Sequence, residues 1–73
     1  MTNAERLVVP GTAGGWFVKH RDTVSSFHLT YEQAEARARE IVNQLGGGRV
    51  VVLRPNGNVK KREPVVPTEK YFG

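Results

Sequence analysis

The sequence has no cysteine and only two histidines, His20 and His28, among its 73 residues. Disulfides and thiolate metal sites are therefore excluded, and two imidazoles with no matching carboxylate spacing do not make a zinc site. No apolar run approaches the ~20 residues needed to span a bilayer. The polar start "MTNAER" does not read as a secretory signal, so the expected setting is cytoplasmic, away from any membrane. A nucleophile, a base and an orienting group do not occur in any recognisable pattern, which argues against an enzyme and against a cofactor. A chain this short is near the lower limit for one apolar core. With disulfides and metals excluded, oligomerisation is the remaining general route to extra stability.

What the chain does have is punctuation and positive charge. "RLVVP" (6–10) reads as a strand ended by Pro10-Gly11, and "TAGG" supplies a reversal. "WFVKHRD" (16–22) alternates, with Trp16, Val18 and His20 on one face and Phe17, Lys19 and Arg21 on the other. "SSFHLT" (25–30) is a short strand with Phe27 and Leu29 facing together. "TYEQ" (30–33) fits a capping box, Thr30 as N-cap and Gln33 reaching back, with Leu29 and Ala34 as a hydrophobic staple. Ala34, Ala38, Ile41 and Leu45 then line one face of a helix, and Glu35 and Arg39 form an i,i+4 pair on the outer face. "GGG" (46–48) stops the helix and precedes a strand, the wrong order for a phosphate-cradling loop. "RVVVLR" (49–54), a "PNGN" turn and "VKKRE" (59–63) make a closing hairpin.

The predicted fold is α+β, an antiparallel sheet in β-β-β-α-β-β order with one helix on one face. One small domain spans 1–64, and residues 65–73 form an extended tail because Pro67 argues against a central strand. The predicted core is Leu7, Val9, Trp16, Val18, Phe27, Leu29, Ala34, Ala38, Ile41, Leu45, Val50 and Val52. Periodicity leaves open whether Val50 and Val52 or Val51 and Leu53 point inward. Burial of both pairs would mean a sheet covered on both faces, for which a dimer is the natural cover.

The net charge of +4 leans towards polyanions. Phe17 between outward Lys19 and Arg21 is the pattern of sheets that stack bases and neutralise phosphate. From Arg49 to Arg62 there are five cations and no acid, and Arg54, Lys60, Lys61 and Arg62 cluster about one hairpin. The candidate nucleic-acid-binding residues are therefore Phe17, Lys19, Arg21, Arg54, Lys60, Lys61 and Arg62, with DNA or RNA as partner. The alternative is a protein-interaction or homodimerising module that uses an edge strand or the outer sheet face. The two differ in geometry: nucleic acid requires the cations on one continuous face, a dimer an outer apolar patch containing Phe17, Val51 and Leu53.

The stretches "VVP" (8–10), "GGWFVK" (14–19), "LTYEQAEARA" (29–38) and "VVVLRPNGNV" (50–59) resemble a family of short bacterial proteins that is itself a domain of unknown function. That resemblance implies a shared fold and no catalytic role. "GGWFVKHRD…FHLTYEQAEARA" is more weakly similar to the plant ethylene-response-factor type of DNA-binding domain, in which a three-stranded sheet backed by one helix enters the major groove. The similarity puts Lys19 and Arg21 on that family's DNA-reading strand positions, Lys19 in place of a glutamate, with Val18 and His20 beside them.

Overall fold

A computed structural model describes residues 3–67 of the chain. Five strands, β1 (Ala4–Pro10), β2 (Trp16–His20), β3 (Thr23–His28), β4 (Gly48–Leu53) and β5 (Val59–Val65), form one sheet in the order β3-β2-β1-β4-β5, and helix α1 (Tyr31–Gln44) connects β3 to β4. The element order is the predicted one, but the sheet is mixed. β1 and β4 run parallel, Ala4 beside Gly48 through Val8 beside Val52. The reason is the helix: α1 crosses one face of the sheet and returns the chain at the end where β1 began, so β4 must run in the direction of β1. The parallel strands approach so closely at Gly48, whose φ is 151°, that a Cβ there would collide with the Ala4 backbone.

Local signals are realised with small displacements. The Gln33 amide donates to Thr30 Oγ1 (3.2 Å), while Gln33 Oε1 accepts from the Leu29 amide, one residue before the cap (3.2 Å). The staple is not formed, since Leu29 is 76% exposed. At the other end, Gly46 N–H donates to Asn43 O (3.1 Å) and Gly47 N–H to Val42 O (2.9 Å), the paired bonds of a Schellman cap. In the "PNGN" turn only Gly57 has a positive φ, 90°. Its N–H bonds Arg54 O (2.8 Å) and Arg54 N–H bonds Asn58 O (2.8 Å), giving a three-residue loop.

Register fixes the two faces. Val18 pairs with Ser26 and with Val8, Val8 with Val52, and Arg6 with Val50. These residues face the helix, where Val8, Val18, Val50, Val52 and Val65 meet Ala34, Ala38 and Val42 in the core. Val65, expected in the tail, ends β5 and is 7% exposed; residues 68–73 of that tail lie outside the described residues. Trp16 and Ile41 pack against the edge of the core, and Trp16 meets Tyr31 edge-on at 5.2 Å. Five predicted core residues are elsewhere. Leu7 and Val9 alternate with Val8 and therefore point away from the helix, while Phe27 and Leu45 are about half exposed, and Leu29 more so.

Candidate functional site: the uncovered sheet face

The face opposite the helix is the most distinctive surface of the molecule. Its first row across the sheet is Phe27, Phe17, Val9, Leu53 and Val59, and its second is Val24, Lys19, Leu7, Val51 and Arg62. The two phenylalanine rings are 5.1 Å apart and tilted at 58°. Gly15, at φ 74°, makes this pairing possible, because a Cβ there would collide with the Phe27 ring. No described element covers these rows. Val24 and Phe27 are both 50% exposed, yet Val51 in the middle of the face is 4% exposed. Both members of the ambiguous valine run thus face apolar surroundings: Val50 and Val52 towards the helix, Val51 and Leu53 towards the outer rows.

The predicted cationic set does not gather on this face. Phe17, Lys19 and Arg62 lie on it. Arg21 falls in the two-residue turn between β2 and β3, where strand alternation has ended. Arg54 is exposed at the end of β4 by the turn, and Lys60 is the extra residue where the β4–β5 register shifts. Lys61 points to the helix side, 2.6 Å from Glu63, 3.9 Å from Glu35 and 5.5 Å above the Tyr31 ring. Of the five cations from Arg49 to Arg62, Arg49 is also engaged, 2.8 Å from Glu5. Sequence reasoning missed Leu7, Val9 and Phe27 as members of the outer face. The signal was the uninterrupted "LVV" run, in which both faces of β1 are apolar.

The Lys61 cluster corrects a second expectation. Glu35 is not on the solvent side paired to Arg39; Arg39 instead donates to Glu63 (2.8 Å) across the helix–β5 seam. Glu35 lies close enough to Glu63 to share a hydrogen bond. That bond, then burial, then the negative charge of Glu63 raise its carboxyl above the usual range. Burial opposes the charge of Glu63 itself, but hydrogen bonds from Glu35, Lys61 and Arg39 hold its carboxyl below the usual range. The same Glu63 bond, followed by Tyr31, raises the Lys61 ammonium. The cluster clamps β5 to the helix. Among the described residues no group of three or more His, Asp or Glu side chains could hold a metal ion, and no helix is long and apolar enough to cross a membrane.

An α+β domain with one helix-covered and one open sheet face is thus the class this chain falls in. The chain belongs to the DUF2188 family, described as uncharacterised protein conserved in bacteria, which it matches over residues 6–64. No curated protein and no solved structure matches it.

Proposed function

We propose that the protein is a non-enzymatic interaction module whose open sheet face packs against the same face of a second copy. The carrying observation is the composition of that face: Leu7, Val9, Phe17, Phe27, Val51 and Leu53 form a continuous apolar surface, with Lys19 and Arg62 interrupting only the second row. Exposed apolar patches of this kind rimmed by polar residues mark interaction surfaces. Five strands about 4.8 Å apart, with a rise of about 3.3 Å per residue, give a footprint on the order of 500 Å². Two copies in contact would remove roughly 1,000 Å² from water, the scale at which specific interfaces begin. A two-fold pair of twisted sheets stacked ~10 Å apart would be a four-layer sandwich with helices outside.

Sedimentation velocity over a micromolar concentration series tests this reading, with a concentration-dependent dimer expected. A monomer throughout the series would overturn it. The second reading, nucleic acid, draws its support from the Phe17–Phe27 ring pair beside Lys19 on the same face. In that case a monomer should bind single strands with a salt-dependent affinity that Phe17→Ala weakens more than Lys60→Ala.

A further inference from the structure

A second surface, distinct from the sheet face, lies at the end of the sheet where β1 begins. A cleft of about 610 Å³ is lined by Asn3, Ala4, Glu5, Arg6, His20, Arg21, Leu45 and Arg49. Three of these residues are arginines and one is the only acid, Glu5, which is already paired with Arg49 at 2.8 Å. Arg6 and Arg21 make no ion pair among the described residues. Arg6 pairs through the sheet with Val50, so its side chain lies on the helix side, and its Nη1 donates to Glu5 O at 2.8 Å. Its Nε–H is buried and has no hydrogen-bond partner among the described residues. A buried guanidinium donor without an acceptor is unusual, because desolvation is compensated only when a partner arrives.

Arg21 adds an independent observation. It takes a positive φ of 58°, the only non-glycine described residue to do so. A two-residue hairpin turn is ordinarily relieved by glycine at such a position. This chain uses glycine freely, with eight in all, yet it has a long cationic side chain at this turn. Backbone held in a sparsely populated region is found disproportionately at ligand sites. His20, next in sequence, lines the same cleft.

We infer that this cleft binds the phosphate group of a small phosphomonoester, with Arg6 and Arg21 as its guanidinium partners and His20 at the rim. Guanidinium groups match phosphate oxygens in pairs, and two unpaired ones suit a dianion better than a carboxylate. The cleft is far larger than a phosphate ion and falls in the size range of small-ligand pockets. Ala4 and Leu45 provide an apolar wall for the organic part of such a molecule.

The test is a titration with inorganic phosphate and, separately, adenosine monophosphate and glycerol 3-phosphate, at ionic strength held constant with chloride. Arginine Nε–Hε resonances and backbone amides are followed by NMR. Saturable shifts are expected at Arg6 Nε–Hε and at the His20 and Arg21 amides. At least one of the two phosphomonoesters should bind about tenfold tighter than inorganic phosphate. Arg6→Lys keeps the charge but removes the Nε–H, and should weaken binding at least fivefold. Arg21→Gly relaxes the turn and should preserve the fold while weakening binding similarly. Shifts no larger than those from chloride would overturn the inference. So would unchanged binding in Arg21→Gly, a variant whose folding is not in question. Because neither variant alters the open sheet face, sedimentation of the same samples reports separately on dimerisation.

Discussion

The two faces of the sheet bury different kinds of side chain. Towards the helix the fully buried residues are valines and alanines, none larger than valine. Away from it lie two phenylalanines and two leucines, with no described element above them. Small residues let the helix sit close to the sheet, so that side is dense but thin. Trp16 aside, the larger apolar strand side chains lie on the open side, where only a partner surface could bury them further. The contrast explains how a 73-residue chain with neither disulfide nor thiolate metal site can have a core made mostly of valine.

Adjacent residues on opposite faces offer the sharpest way to break this comparison. Val52→Asp would bury an unpaired charge against the helix and should cost at least about 3–5 kcal/mol, enough to unfold the domain. Leu53→Asp, one residue on, should leave a folded monomer and abolish the dimer. Circular dichroism with sedimentation distinguishes the two outcomes, and unfolding by both substitutions would show that the faces are energetically alike.

Trp16 marks the boundary of the helix side. Because it is only partly buried and stacks edge-on with Tyr31, Trp16→Ala should cost about 3 kcal/mol, the low end for a large aromatic. Urea denaturation gives the value. Thr30→Ala removes the oxygen that accepts the Gln33 amide and should lower stability by about 0.5–2 kcal/mol. An unchanged melting curve would mean that the cap contributes nothing.

The smallest expected effect concerns the carboxyl pair. Folding raises the Glu35 pKa, so its charge opposes the folded state above the unfolded carboxylate range, and that penalty fades as pH falls. Glu35→Gln should therefore stabilise slightly at neutral pH, and the gain should vanish near pH 4. Glu63 has the opposite sign: its lowered pKa contributes stability that is present at neutral pH and lost in acid. Denaturation of Glu35→Gln and Glu63→Gln at the two pH values reads both signs.

Local chemistry was legible in the sequence. The Thr30 cap, the glycine stop and the hairpin turn depend on residues within a few positions of one another, and each stands where the residue types demand. Facing was harder to read. The alternation that correctly put Trp16 and Val18 inward gave the wrong side for Phe27, because the partner of Trp16 is His28, and a register set by a distant strand is not written in β3 itself. The parallel pairing of β1 with β4 was hidden for the same reason, joining residues more than forty positions apart. The phosphate cleft was invisible, since Arg6, Arg21 and Arg49 come together only through the sheet.

One feature of the edges bears on how such molecules can accumulate in a cell. Both outermost strands carry a one-residue bulge, Ser25 in β3 and Lys60 in β5, and β5 also contains Pro64, which has no N–H to offer. An incoming strand would lose its hydrogen-bond register within a few residues on either side, so end-to-end growth into fibrils is blocked at both margins. The open sheet face is then the main apolar surface left for association, and a surface that met its own copy would be used up in the encounter. On the proposed face-to-face pairing, assembly would stop at two, and a high expression level should raise the amount of dimer without seeding polymer.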